Sequence, residues 1–454
     1  MKKYLALVLG VIFTLGFAVS AFAITAEIPA DTQAVVAKDT SQITLSGELR
    51  FRGWYTDNTS GTRRAVSNPA DGPSQGWYDN CVRLRLQADV SKNTMGVIHL
   101  ETTSDWAQTT NRSYTSGTLN AKPASEFGIL EAWLLHKGTG LLGIPAGIKV
   151  GHMPIALGER QFLDHTRFGD DAIVLFADPT KELHIGLLTA KFIEDSASNA
   201  STADATAYAA LATYKVDKDN TVGVNYTLIN DTGLTGVTLA TTGQKFNFQN
   251  LGLHANGKLA DVKYAVEYDT QFGNQSDTVK FKGYGIFANL GYDIKPVTVR
   301  AGYARGSGDA GNTDAAKNKD FQTTLGIVDD VHYTFIYEYT TRDASSNRAL
   351  GQGTRTNGIS NTTYYRLGLD TDITKDLKAS VDYFILKATE AATGSKDIGN
   401  EYNAKLIYKI DKNLTYSITA GILDPGKWWE DTAGVTSANN KNITQMVHAL
   451  TLSF

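Results

Sequence analysis

From residue 42 to the end of the chain, apolar side chains return at every second position, segment after segment. Successive residues of a strand point to opposite faces, so this alternation predicts strands with one face in an apolar medium and the other in a polar one. In the first segment Ile43, Leu45, Leu49, Phe51 and Tyr55 form the apolar face, and Thr44, Ser46, Glu48, Arg50 and Arg52 the polar one. In the second, Val82, Leu84, Leu86 and Val90 alternate with Arg83, Arg85, Gln87 and Asp89; in the third, Ile98 and Leu100 alternate with His99 and Glu101. Near the end, Leu414, Tyr416, Ile418 and Ile422 stand against Thr415, Ser417 and Thr419. The last segment sets Met446, Leu450, Leu452 and Phe454 against Gln445, Ala449, Thr451 and Ser453, with His448 the one break in its apolar row.

The connections are alternately very short and long. Short ones such as Ser91-Lys92-Asn93, Asp217 to Asn220 and Asp411-Lys412-Asn413 carry the Asp, Asn and Lys that suit tight turns. Long ones, near 57–77, 105–125, 154–169, 231–244, 305–319, 342–360 and 425–442 among others, are rich in Gly, Ser, Thr, Asn and Asp. Nine short turns and ten long loops predict 20 strands, with both ends on the rim of the short turns. One short turn, Val328-Asp329-Asp330, lies between two long connections and so implies a strand on either side of it. The weakest strand pair is 145–153 and 170–178, and if that region folds inside, the count falls to 18.

The apolar medium reads as a membrane. Lys2 and Lys3, the apolar run from Leu5 to Phe22 and the small-x-small site Ala21-Phe22-Ala23 predict a secretion signal over residues 1–23, cleaved before Ile24. No later stretch approaches 18 uninterrupted apolar residues, so a membrane-spanning mature chain must cross as a closed sheet, which alone besides helices satisfies its backbone in lipid. Gly 42, Tyr 21 and Phe 18 are high, while Cys 1 and Pro 9 are low. The mean hydropathy is slightly negative, as expected when inward polar residues cancel outward apolar ones. A charge on the outward face costs about 2–4 kcal/mol near the midplane, and that face is almost free of charge. Tyr214, Tyr264, Tyr292, Tyr333, Tyr408 and Tyr416 lie beside short turns, and Tyr55, Tyr268, Tyr284, Tyr303, Tyr339 and Tyr402 towards long loops, as two interfacial girdles would.

The closing pattern resembles the last strand of bacterial outer-membrane β-barrels. The resemblance implies that Phe454, with Leu452 and Leu450, is the signal read by the barrel-assembly machinery. The expected fold is therefore all-β: a closed antiparallel transmembrane barrel of about 18–20 strands over residues 42–454. Short turns would face the periplasm and long loops the exterior, in the outer membrane of a Gram-negative cell, with residues 24–41 as a periplasmic lead-in. A second resemblance rests on residues 149–178, with Gly151-His152, Gly158-Glu159-Arg160 and Phe168-Gly169-Asp170-Asp171. This stretch resembles the strand–loop–strand of alginate-export-type porins, which has Gly-Arg at the strand end and Gly-x-x-Arg in the loop. Gly158 and Arg160 match in residue type, one position closer than in Gly-x-x-Arg, and His152 departs from the pattern. Porins often fold a loop inward at this distance along the chain.

A barrel this wide is not filled by its own wall side chains. Water, an infolded loop or another protein must occupy it, and no segment looks like a plug domain. Arg50, Arg52, Arg83 and Arg85 share the inward face of adjacent strands, with Arg300 and Arg366 extending the strip. Glu101, Glu131, Glu267, Asp269, Asp370 and Asp382 also face inward, which suggests opposed basic and acidic walls. Arg160, Asp170 and Asp171 join the pore-lining candidates from the 149–178 stretch. Arginines around a pore bias it towards anions.

Other chemistry is not indicated. One cysteine excludes a disulfide framework and Cys-based metal or haem sites. The His residues show no His-x-x-x-His pair, and loop carboxylates such as Asp309 and Asp314 lack calcium-ligand spacing, so no cofactor or metal is expected. Gly138-Thr139-Gly140-Leu141-Leu142-Gly143 and Gly306-Ser307-Gly308-Asp309-Ala310-Gly311 match a dinucleotide fingerprint but open no helix. The net charge of −4 argues against nucleic acid, and no Ser/His pair suggests an enzyme. The sequence reads best as a porin passing small hydrophilic solutes or ions and favouring anions. A homotrimer is an assembly left open. The rival readings are a sheath around a multihaem cytochrome and a polysaccharide export pore.

Overall fold

The computed structural model describes residues 34–38, 41–62, 65–69, 74–106, 127–140, 143–193, 205–231, 246–310, 314–325, 332–338 and 358–454. The predicted signal segment lies outside them, as do Val328-Asp329-Asp330 and Tyr339.

Eighteen antiparallel strands form one closed wall. They are β1 Ser41–Asp57, β2 Gln75–Ser91, β3 Thr94–Asp105, β4 Gly128–Thr139, β5 Pro145–Met153 and β6 Asp170–Ala177. Next come β7 Leu183–Ile193, β8 Ala205–Lys215, β9 Thr221–Asp231, β10 Phe246–Leu259, β11 Val262–Asn274 and β12 Tyr284–Ile294. The wall ends with β13 Val297–Gly306, β14 Thr362–Thr374, β15 Leu377–Ala388, β16 Asp397–Asp411, β17 Leu414–Pro425 and β18 Ile443–Ser453. Each strand pairs with the next, and β18 pairs with β1 from Glu48↔Ser453 to Asp57↔Thr444. In the expected lead-in, Ala34–Lys38 is itself a strand that turns back and pairs with the start of β1.

The faces follow the alternation. Ile43, Phe51, Leu84, Leu86, Ile98, Leu367, Leu450 and Leu452 stand on the outer surface, and the alternate residues point inward. Tyr214, Tyr292 and Tyr408 ring the short-turn rim, and Tyr55, Tyr268 and Tyr402 lie towards the other. Tyr333 departs from the expected girdle: it is buried inside the barrel.

The count is 18 rather than 20, and the reason lies away from the region marked as weakest. Residues 145–153 and 170–177 are wall strands, paired from Asp170↔Met153 to Ala177↔Ala146. The wall instead passes directly from β13 to β14, Val297↔Thr371 through Arg305↔Thr363, so the described residues 307–310, 314–325, 332–338 and 358–361 stand outside it. Phe335, Ile336 and Tyr337 are three consecutive apolar residues, and all three are buried. A wall strand needs alternation, whereas a segment surrounded by protein on every side does not.

Closure rests on small residues at the seam. Gly47 N donates to Phe454 O at 2.7 Å, and Phe454 N donates to Gly47 O at 3.0 Å. A β-carbon on residue 47 would lie 2.6 Å from the Phe454 ring and 2.7 Å from the Arg83 carbonyl oxygen. Gly53, farther along β1, is covered in the same way by His448, whose ring contacts Tyr78 at 6.2 Å and Tyr416 at 5.9 Å between centroids. The break in the apolar row of the last strand therefore fills a notch among aromatic rings.

Two expectations follow. Gly47→Val, or deletion of Phe454, leaves the seam unable to close, and the protein should lose heat-modifiable migration on gels; normal migration of both would show that the seam does not depend on this contact. With Cys81→Ser as background, a cysteine at Asn439 should react with an impermeant maleimide on intact cells and one at Lys218 should not. Equal labelling would contradict the assignment of the rims.

Candidate functional site

Two segments fold from the wall into the lumen and meet there. The first is residues 154–169, between β5 and β6. Gly158 and Arg160 both take left-handed backbone conformations, φ 57° and 66°, which turn the segment back on itself. Leu157 N donates to Leu163 O at 3.1 Å, and His165 N to Ile155 O at 2.8 Å. The second segment leaves the wall after β13. It pairs with the first in a short parallel ladder, Thr324↔Leu163 and Leu325↔Asp164. His165 is buried at this junction, with Nδ1 2.6 Å from Asp170 Oδ2 and Nε2 2.7 Å from Thr324 Oγ1.

Polar side chains of the wall hold the segments by their main chain. Gln271 and Gln322 exchange two bonds: Gln271 Nε2 donates to Gln322 O at 2.7 Å, and Gln322 N donates to Gln271 Oε1 at 2.8 Å. The buried Glu401 carboxylate accepts the Ile336 and Tyr337 amides, each at 2.8 Å. Arg167 Nη2 donates to Glu101 Oε1 at 2.7 Å. Glu159 N donates to Glu267, and Asn256 Nδ2 donates to Glu159 Oε1 at 2.6 Å. Burial pushes the Glu159 carboxyl above the ordinary glutamate range, against the opposing pull of Asn256 and Arg160.

Apolar contacts complete the seal. Phe162 stacks on Phe248 at 5.6 Å, Tyr333 on Tyr364 at 4.8 Å and Phe335 on Trp54 at 6.3 Å. Phe162, Phe248, Phe281 and Phe321 are all but inaccessible to solvent. Burying such a ring stabilises by roughly 1.5–3 kcal/mol, so the infolded segments have a core of their own against the wall.

The sequence-predicted residues fall into three groups. Arg50, Arg52, Arg83, Arg85, Glu101 and Glu131 lie on the inner faces of β1 to β4. Their charges are interleaved on one wall, so the expected pair of opposed basic and acidic walls is not what forms. Arg83 lies 2.8 Å from Glu101 and 3.2 Å from Glu48, and Arg85 lies 3.7 Å from Glu131. Arg52 Nε and Nη2 grip both oxygens of buried Asp79, at 2.8 and 2.9 Å, and its guanidinium lies 5.0 Å over Trp54, which stacks on Trp77. Lys149 sits 3.9 Å over the Trp133 ring. Arg160, at the tip of the first segment, keeps 46% of its side chain exposed and Arg85 keeps 32%, so both meet water within the barrel.

Arg300, Arg366 and Asp382 make a second group. They do not extend the first strip, because β15 to β18 stand between β14 and β1. Asp382 lies 3.0 Å from Arg300 and 2.6 Å from Arg366, and Arg300 also reaches Asp370 at 2.6 Å. Arg366 Nη2 is buried with no hydrogen-bond partner. Beside it a pocket of about 240 Å³ is lined by Lys263, Asn289, Arg300, Arg366 and Asp370.

The third group separates Asp170 from Asp171. Asp170 is buried against His165, whereas Asp171 lies on the opposite face with Ile173 and Leu175. Its carboxylate pairs with His152 Nδ1 at 2.9 Å, and its side chain is 77% exposed. Asp171 therefore stands on the outside of the barrel, where strand alternation puts the neighbour of an inward residue. Gln271, Glu401, His165 and Trp54 are positions bracing the infolded segments that a strand-by-strand reading passes over. The inward places of Gln271, Glu401 and Trp54 are legible, but they meet segments that leave the wall, and His165 lies on such a segment itself.

Comparison with known proteins agrees with this architecture. The family model for alginate export matches residues 59–442. OccK1 (OpdK) of Pseudomonas aeruginosa superposes with a TM-score of 0.55 at 12% identity, covering 90% of this chain and 98% of that one. OccAB4 of Acinetobacter baumannii gives a TM-score of 0.52 at 12% identity over the same shares, 90% and 98%. OpdK with vanillate gives 0.53 at 12% identity, covering 90% and 99%. Among curated proteins none matches. The barrel is one of the bacterial outer membrane. With most of its wall and both infolded segments inside the matched span, the chain belongs to the alginate export family.

Proposed function

We propose that the protein is an outer-membrane diffusion channel for small hydrophilic solutes, favouring anions, whose narrowest section lies between the two infolded segments and the wall of β1 to β4. The observation that supports this most is the placing of water-exposed Arg85 and Arg160 inside a wall that two loops narrow. Around them Arg83 meets Glu48 and Glu101, Arg85 meets Glu131 and Arg167 meets Glu101, and Lys149, over the Trp133 ring, adds to the positive side. Fixed positive charge in a narrow aqueous path raises local anion concentration. Arg52 plays a different part. It is neutralised by Asp79 within a buried aromatic cluster, so it braces the wall and contributes little to the field.

The family match supports a second reading, an exit path for an acidic polysaccharide, which the same basic surface would suit. The two readings differ in the solute's length. Vanillate, the small aromatic acid named with OpdK, is a probe for the first, and a uronate oligomer is a probe for the second. A cytochrome sheath receives less support, since the infolded segments occupy space that a partner would need.

Arg85→Gln with Arg160→Gln should move the reversal potential in planar bilayers towards cations at 0.1 M salt and much less at 1 M, because the Debye length falls from about 10 Å to about 3 Å. Arg52→Gln should lower the unfolding midpoint and leave selectivity alone. An unchanged reversal potential in the double variant at low salt would reject the anion path. Glu401→Ala strips two buried amides of their acceptor, at about 1–3 kcal/mol each. It should loosen the second segment and give larger, noisier single-channel steps, while block by millimolar vanillate or uronate oligomer separates the two solute readings.

A further inference from the structure

Behind the tip of the first segment, β9, β10 and β11 present a patch of three rows. Gly223, His254 and Glu267 stand side by side, then Asn225, Gly252 and Asp269, then Thr227, Asn250 and Gln271. Asn225, Thr227, Asn250, Glu267, Asp269 and Gln271 are all buried, none more than 4% exposed. Gly252 opens a notch in the middle. The point where a β-carbon of residue 252 would sit is 2.9 Å from Asn225 Oδ1, 2.7 Å from Asn225 Nδ2 and 2.8 Å from Asp269 Oδ1. An amide and a carboxylate thus converge on one point from either side.

Their hydrogen bonding is incomplete. Asp269 Oδ1 accepts from Asn250 Nδ2 at 2.8 Å, and Asn250 Oδ1 accepts from Gln271 Nε2 at 3.3 Å. Both side-chain heteroatoms of Asn225 and Thr227 Oγ1 have no partner, and no amide, hydroxyl or cationic donor reaches Asp269 Oδ2. Glu267 interacts directly with Asp269, and the infolded segment closes over it through Gly158 and the Glu159 amide. Among the described residues no lysine or arginine pairs with either carboxylate. Arg160 turns to Asp164, and His254 leans over Gly223, on the side away from β11. Glu159 adds a third carboxyl nearby.

Buried carboxylates without a counter-charge are unfavourable, and buried polar atoms in native proteins are almost always satisfied. The donors converging here are oxygens, carboxylate and neutral, without sulfur or a converging imidazole. Such a set suits a hard divalent cation. We propose that the Gly252 notch binds a divalent cation of the calcium class through Asp269, Glu267 and Asn225 Oδ1, and that the ion fastens the infolded segment 154–169 to the wall. The sequence gives no warning of it, because the ligands lie on β9 and β11, on either side of the notch in β10, with no motif spacing.

The test uses the purified full-length protein in detergent, stripped with a chelator and titrated with calcium alone. Calorimetry should show one ion per chain with Kd below about 1 mM, the range of extracellular calcium modules, and the unfolding midpoint should rise with calcium. Asp269→Asn should weaken binding at least about tenfold. So should Gly252→Ala, which fills the notch without removing a charge and serves if Asp269→Asn fails to fold, with heat-modifiable migration as the check on folding. Absence of a calcium effect on the wild type, or undiminished binding by Gly252→Ala, overturns the proposal. A midpoint that responds to pH but not to calcium also overturns it, since a shared proton would then neutralise the pair. Binding is read without solute flux, so its failure and a failure of the channel reading are separate results.

Discussion

Every amide of the wall needs a partner in a medium that offers none, and the seam between β1 and β18 is where that requirement is met last. An open sheet would leave two rows of unpaired N–H and C=O groups facing lipid. Closure removes both rows at once, which makes the seam a condition for all other strand pairs and not one pair among many. It works because Gly47 and Gly53 leave room for Phe454 and His448 to lie flat across the outer surface. The register that this sets decides which residues face inward all the way round.

Closing eighteen strands creates a second problem, an interior too wide for wall side chains to fill. The chain solves it with its own length. Segment 154–169 and the described residues between β13 and β14 are recruited from opposite parts of the wall and acquire an apolar core of Phe162, Phe248, Phe281, Phe321, Tyr333 and Phe335. This core is an ordinary protein interior inside a membrane barrel. The polar side chains that hold it, Gln271 and Glu401 above all, grip main-chain groups of the second segment. On β1 to β4 arginines and carboxylates pair locally, and Arg85 there and Arg160 at the tip of the first segment turn to water.

The wall is legible in the sequence because a lipid-facing row is chemically unambiguous: Ile43, Phe51, Leu84 and Leu450 alternate with polar residues that no soluble core would require. Inward placement of Arg83, Glu101, Arg366 and Asp382 follows from the same rule. What the rule cannot reach is any segment that leaves the wall. Residues 320–325 and 332–338 look strand-like by composition, but the run Phe335-Ile336-Tyr337 has the signature of burial on all sides. Asp171 fails for a simpler reason: next to an inward residue on a strand, the side chain faces out whatever its charge. The partner of each inward charge is also beyond reach, since it depends on cross-strand register, which single-residue patterns do not carry.

The short parallel ladder between Leu163 and Thr324 joins segments rooted at β5–β6 and at β13–β14, eight strands apart in an eighteen-strand ring. Such a link runs nearly along a diameter. A thin cylinder resists stretching along its wall far better than flattening across it, and a strut across the diameter supplies the missing stiffness. Lateral pressure from the bilayer would then bear on the strut itself, so the width of the passage beside it becomes a mechanical property of the membrane as well as of the protein.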